Sequence, residues 1–353
     1  MRRAIILFGI LADLAVSSVG VAPAQTRSPD PLQDQPALES PTLARIRHDG
    51  LLRCGVIRVG PGVSETDERG VWRGFFPDYC RVLAAAVLGD ADAVEFVEVT
   101  QTVRFKALND GAFDVLMGNT TWTASRDTKL GLAFTQPIYY DGQGFMANRA
   151  LGAARLADVH HATVCVNRNT TTIRNLEELI ASRHLDLKVR GFDSGEMAYD
   201  SFFAHDCDIL TTDRIALTTV RLSRSPDPDD YVLFPDMVSK EPLSPTLRND
   251  DEDWFDVVQW SVFATLLAEE HGIRSDNLDS FLDSNDPEVR RLLGLDPGIG
   301  ADLGLDEDWA RRIVAQVGNY AEIFNRNLSP LGLDRGLNAL WRDGGLLYAP
   351  PLR

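Results

Sequence analysis

Twice along this chain, strand-length apolar runs alternate with helix-length amphipathic segments, and that alternation restricts the fold more than any other feature. The first series reads as a strand Cys54–Val59, a helix opening near Pro77, the largely alternating strand Val94–Val99, a helix from Arg104 to Asp110, and the apolar Phe113–Met117. The second reads as strand Thr163–Asn167, helix Thr171–Arg183, strand Leu187–Arg190, helix Gly195–Ala204, strand Asp208–Thr212 and helix Arg214–Leu222. In such units the helix carries the chain back across the sheet, so successive strands lie parallel. The chain therefore reads as α/β, with two open, mostly parallel sheets and flanking helices. Its 353 residues suit two such domains.

Local signals bound the elements. Pro77 fits the first turn of a helix, where its missing N–H costs nothing. That helix sets Tyr79, Val82, Leu83, Ala86 and Val87 on one face and stops near Gly89. Gly111 caps the helix that starts at Arg104. Leu43 to His48 forms a short helix ending at Gly50. Asp253 to Glu270 forms a long one with Phe255, Val258, Val262 and Leu266 inward.

Open α/β sheets bind ligands beyond the carboxyl ends of their strands. If two such lobes face each other, Gly60–Ser64, Gly118–Arg126, Arg168–Thr172 and Asp213 converge on one cleft. Hydroxyls there offer single hydrogen bonds and Arg126 a bidentate pair, a receptor for a carboxylate. With Asp213 opposite, the set matches a zwitterion. Plainer roles exist for each residue. Arg126 has Asp127 beside it for a surface ion pair. Asp213 can cap the helix at Arg214, and Thr170 or Thr171 can cap the helix that follows them.

A formal charge of −17 disfavours nucleic acid and anionic membranes as partners, since both are repelled. Arg2-Arg3, a mostly apolar run from Ala4 to Ala22 and the small residues of Val21-Ala22-Pro23-Ala24 read as a secretory signal peptide over 1–24, hence a periplasmic protein. Residues 25–42 hold four prolines and read as a flexible lead-in. No later stretch is long and apolar enough to span a membrane. The four cysteines allow three pairings in an oxidising compartment, and sequence proximity favours Cys54–Cys80 and Cys165–Cys207. A zinc site lacks a CxxC pair, and the six histidines show no metal-ligand spacing, so neither metal nor cofactor is expected.

The sequence resembles the periplasmic solute-binding proteins of amino-acid ABC transporters (family 3), and most of all the general L-amino-acid-binding subgroup. The likeness is carried by Asn119-Thr120-Thr121-Trp122-Thr123 with Ser125-Arg126-Asp127-Thr128, by Tyr139-Tyr140-Asp141-Gly142-Gln143-Gly144-Phe145, and by Thr211-Thr212-Asp213-Arg214. Ser239-Lys240-Glu241-Pro242-Leu243, Gln316-Val317-Gly318-Asn319-Tyr320 and the stretch from Arg335 to Trp341 extend it over nearly all of 43–353.

The resemblance implies a type II, two-lobed periplasmic binding protein-like fold with a hinge. Lobe one would comprise 43–147 and 239–353, including the C-terminal helices, and lobe two 148–238. It implies that Arg126 clamps a ligand carboxylate, that Asn119 and Thr121 add hydrogen bonds, and that Thr170 and Thr171 hold the carboxylate from the other lobe. Asp213 would pair with the ammonium. Val63 stands where the family has an aromatic cover for the ligand side chain. Phe76 stands where Gly-x-Asp is usual, and Gly118 replaces a larger polar residue. Val63, Phe76 and Trp122 are thus the expected pocket wall. The implied function is capture of an L-amino acid by hinge closure and delivery to an inner-membrane ABC permease, by a monomer. The alternative is an enzyme on the same scaffold, such as a cyclohexadienyl or arogenate dehydratase. That would need a general acid in the cleft, and the nearest candidates, Glu65 and Asp67, fall in a turn.

Overall fold

The structure, a computed structural model, describes residues 40–353. The signal peptide and most of the lead-in expected from the sequence lie outside the described residues. The end of that lead-in is helical: Ser40 caps the helix Pro41–Asp49, accepting from the Leu43 N–H at 2.9 Å, and Gly50 closes it in a left-handed conformation.

Two five-stranded sheets carry the chain. In the first, the order is Val94–Glu98, Leu52–Val56, Val115–Met117, Thr246–Arg248, Leu132–Phe134. The first three strands run parallel and the last two pair antiparallel. In the second, the order is Leu187–Phe192, Ala162–Asn167, Ile209–Asp213, Gln143–Asn148, Tyr231–Leu233, again three parallel and then two antiparallel pairings.

The antiparallel strand in each sheet enters directly from a crossing between lobes. Tyr139–Asp141 leaves lobe one and Glu241–Leu243 returns to it, and these two pair antiparallel, Glu241 opposite Asp141. This two-stranded ribbon is the hinge. It also corrects the expected boundary after residue 147. Gln143–Asn148 pairs with both Ile209–Asp213 and Tyr231–Leu233, so it belongs to the second sheet and the outgoing crossing ends at Asp141.

Lobe one has one continuous core. The helix Phe75–Leu88 was expected to bury one face, yet every residue from Phe75 to Val87 is buried. The reason lies far along the chain. Helices Glu252–Glu270, Trp309–Gln316 and Tyr320–Asn327 return to lobe one and cover the face the sheet leaves open. A helix so enclosed is apolar on nearly every face, and its two charges are paired, Asp78 with Arg81 and with Arg326. Gly55 marks the tightest approach within the sheet layer, since a Cβ there would sit 2.6 Å from the Phe113 ring. Cys54 on the first strand and Cys80 on this helix form one disulfide; Cys165 and Cys207 form the other, in lobe two.

Lobe two keeps two smaller cores on opposite faces of its sheet. Val164 and Val166 belong to one cluster and Cys165 to the other, as the period of two in a strand requires.

Candidate functional site

The lobes close on each other over a polar cavity at the carboxyl ends of the parallel strands. With the lobes shut, the free volume inside this cavity is about 20 Å³, on the scale of a single water. All six residues expected to bind ligand line it: Asn119, Thr121, Arg126, Thr170, Thr171 and Asp213.

The lobe-one side is built on the loop after Val115–Met117. That loop is stapled to the returning hinge strand, with Trp122 N–H donating to Pro242 O at 2.9 Å and Ser244 N–H to Thr120 O at 3.1 Å. Thr123 caps the short helix Ala124–Lys129, which carries Arg126 inward. The Arg126 guanidinium is buried and donates to Thr121 O at 2.7 Å through Nη1. It is therefore not an exposed partner of Asp127. Burial lowers its pKa to about 10, opposed by the charges of Glu241 and Asp213, so it stays cationic at neutral pH.

The lobe-two side places Asp213 at the end of its strand and ahead of the helix Arg214–Arg224. Its side chain does not cap that helix; Asp141 does so instead, accepting from the Ile215 N–H at 3.0 Å. Asp213 reaches across the cleft, where its Oδ2 accepts from Asn119 Nδ2 at 2.7 Å. Burial, followed by the nearby charges of Asp141 and Glu241, raises its pKa well above the ordinary aspartate value. A carboxyl held this way gains from a cation placed beside it.

Thr170 caps the helix Thr171–Arg183, accepting from Ile173 N–H at 3.3 Å and donating to Asn167 O at 2.8 Å. Thr171 donates to Glu241 Oε2 at 3.0 Å, and Thr121 donates to the same oxygen. All three hydroxyl hydrogens are thus committed within the protein. Toward a ligand carboxylate, the helix start offers its N–H groups and its dipole.

The expected pocket wall is not at the cavity. Val63 and Phe76 are fully buried in the lobe-one core, Phe76 packing edge-on against Phe75. The loop of Val63 is pressed against Gly74, where a Cβ would sit 2.6 Å from the Val63 carbonyl. Trp122 is 40% exposed and stacks on Phe134, away from the cavity lining.

The wall is made instead by Gln101 and Arg104 from lobe one and by Asn167, Gly195, Ala198 and Tyr199 from lobe two. Arg104 is 1% exposed, and its Nε and Nη1 find no hydrogen-bond partner among the described residues. Burial and the charge of Arg126 push its pKa well down, against the pull of Asp213. Both amide atoms of Asn167 and the Oδ1 of Asn119 are likewise buried without partners. Each such group costs on the order of 1–3 kcal/mol, so three around one cavity mark a place for polar contacts. The strand-end rule that flags Asn119 and Asp213 also flags these residues, once it is applied to the segments after Val94–Glu98 and Leu187–Phe192.

A receptor of this build clasps a small dipolar solute between two lobes, and its fold is that of the type II periplasmic binding proteins. The chain belongs to the bacterial extracellular solute-binding proteins, family 3, whose family model matches residues 52–289. It is 41% identical to the general L-amino acid-binding periplasmic protein AapJ of Rhizobium johnstonii, over 90% of this chain and 94% of that one. It is 42% identical to the glutamate/glutamine/aspartate/asparagine-binding protein BztA of Rhodobacter capsulatus, over 90% and 95%. Among solved structures it is similar to an ABC transporter periplasmic binding protein from Brucella ovis with glutathione bound. That match has a TM-score of 0.87 and 43% identity, covering 89% of this chain and all of that one.

Proposed function

We propose that this protein captures an L-amino acid in the periplasm and hands it, as a monomer, to an inner-membrane ABC permease. The observation that carries this reading is the opposed charge across one cavity, Arg126 from lobe one and Asp213 from lobe two, each buried and each facing the space between lobes. A bound zwitterion would give its carboxylate to Arg126 and to the start of the helix at Thr171, and its ammonium to Asp213. Because it bridges both lobes, it binds the closed form better than the open one and shifts the population toward closure. Relatives named as periplasmic, together with the leader read over 1–24, support the compartment.

The side chain of the solute falls to Arg104, Gln101, Asn167 and Tyr199. A buried guanidinium with two unpartnered nitrogens is best satisfied by a carboxylate. We therefore favour acidic amino acids, L-glutamate foremost, in keeping with what the Rhodobacter capsulatus relative is named for. Thermal shift with each of the twenty amino acids tests this, since a tight ligand raises stability. L-Glutamate is expected to give the largest shift. Arg104→Met is expected to weaken glutamate by about a hundredfold, the cost of one charged hydrogen-bonded contact, while weakening L-alanine far less. Equal losses for both would remove Arg104 from specificity, and no shift with any amino acid would overturn the receptor reading.

The raised carboxyl of Asp213 is also what the general acid of a dehydratase requires. Turnover of prephenate or arogenate by the purified protein is the counter-experiment, and none is expected.

A further inference from the structure

Glu241 belongs to neither charge clamp, yet its carboxylate ties the whole cleft together. It is 1% exposed and sits on the returning hinge strand, opposite Asp141. Oε1 accepts from Ser239 Oγ at 2.6 Å and from Asn175 Nδ2 at 3.0 Å. Oε2 accepts from Thr171 Oγ1 at 3.0 Å and from Thr121 Oγ1. The donors come from three parts of the molecule: the lobe-one loop, the first turns of a lobe-two helix, and the hinge itself. No cation among the described residues comes within ion-pair distance of it; four neutral donors make all its hydrogen bonds, and the charge of Arg126 acts on it from farther off.

The chemistry of these donors has a direction. A carboxylate offers only acceptors, and a threonine hydroxyl has one hydrogen to give. Once Thr121 and Thr171 have given theirs to Oε2, both turn only lone pairs to the cavity. We propose that Glu241 is a positioning residue that sets these two hydroxyls as acceptors, so that they receive the ammonium of an amino acid and not its carboxylate. The proposal rests on the amino-acid reading above and adds a division of labour to it. Arg126 and the helix start at Thr171 are left for the carboxylate, while Asp213, Thr121 and Thr171 supply acceptors for an ammonium group, which has donors only. The hub also needs both lobes. The two hydroxyls lie 3.5 Å apart, one from each lobe, and a single oxygen can hold both only when the cleft is closed.

The test compares amino acids with their des-amino partners by titration calorimetry: L-glutamate against glutarate, and L-glutamine against glutaramate. The wild-type protein is expected to favour each amino acid strongly. Glu241→Gln keeps the shape but puts an N–H₂ in place of one oxygen, which frees hydroxyl hydrogens to point inward. Its preference for amino acid over des-amino partner is expected to narrow by at least about tenfold, the worth of one hydrogen bond. A merely structural role would weaken both members of a pair alike, and an unchanged ratio in a folded variant overturns the proposal. Thr171→Val, which leaves Glu241 its other three donors, is expected to narrow the same ratio. It carries the test if Glu241→Gln does not fold, and an unchanged ratio there is equally fatal. If the wild type binds neither amino acid, the receptor reading fails and this inference with it; the two failures are therefore told apart by the wild-type titration.

Discussion

The two lobes share a plan and differ in mass. Each sheet places its first parallel strand second in the order, its second parallel strand at the edge, its third on the other side, and next to that an antiparallel strand delivered by a crossing. Lobe one adds a second layer, the C-terminal helices, and so buries a helix on every face. Lobe two has only its own helices and divides its apolar residues into two clusters. The charges divide as well. Lobe one contributes the buried cations Arg104 and Arg126; lobe two contributes Asp213 and the helix start at Thr171. The difference teaches that the shared sheet order places the site, while the lobes line it with opposite charges, Arg104 and Arg126 from one and Asp213 from the other.

Removing a charge from either side is the largest way to break this pairing. Arg126→Ala is expected to weaken L-glutamate by roughly a hundred- to several-thousandfold, in line with the ~3–5 kcal/mol lost when one member of a buried charge pair is removed. Asp213→Asn, which keeps an acceptor oxygen, is expected to cost less. Melting temperature without ligand should fall little in either variant, because each charge is desolvated and poorly compensated in the free protein. Calorimetry and melting curves on both variants check the order. An Arg126→Ala protein that binds as tightly as wild type would remove the carboxylate clamp.

How much of this is legible in the sequence follows from what each residue needs. Asn119 and Arg126 lie just beyond a strand end and Asp213 at one, and the strand–helix alternation alone brings those strand ends together. The disulfides join cysteines near in sequence. By contrast, Phe76 and Val63 are misjudged as pocket wall because their burial depends on helices that return from beyond residue 250. Arg104 reads locally as the first residue of a helix, and nothing in its neighbours announces that a cation will be fully buried there. Glu241 is visible only as part of a motif. Its importance comes from four donors scattered between Thr121 and Ser239, a tertiary fact with no local trace.

The disulfides sharpen the comparison of cores. Cys54–Cys80 closes 26 residues and Cys165–Cys207 closes 42, so chain entropy assigns each roughly 3–4 kcal/mol, slightly more to the second. Lobe two has less core to spare, and removing its bridge is expected to expose it selectively. Cys165→Ala with Cys207→Ala should raise hydrogen exchange across Leu187–Phe192 and Ile209–Asp213 while lobe one stays protected. Cys54→Ala with Cys80→Ala should lower the global melting temperature without separating the lobes. A uniform loss of protection in the lobe-two variant would mean that the lobes unfold as one unit.

The smallest expected effect is a dependence on pH that sits on the lobe-two side of the cleft. Burial is the chief cause that raises the carboxyl of Asp213, and it raises that of Asp141 at the hinge from 3.8 to about 7. A raised acid keeps its proton longer in the folded chain than in the unfolded one. Its contribution is therefore fully present below the ordinary aspartate value and is lost as pH rises through the folded value. For the ligand-free protein this predicts a stability loss from Asp141 and Asp213 that begins above pH 3.8 and, for Asp141, is complete above about 7. An ammonium beside Asp213 favours the ionised form, so saturating L-glutamate should flatten the part of the slope that belongs to Asp213, and binding in this range should release protons. Melting curves from pH 4.5 to 7.5, with and without glutamate, measure the difference between slopes, which cancels the many surface acids common to both states. Asp213→Asn should abolish most of that difference. If the two slopes coincide in the wild type, Asp213 does not meet the ammonium, and the negative half of the clamp must be sought elsewhere in lobe two.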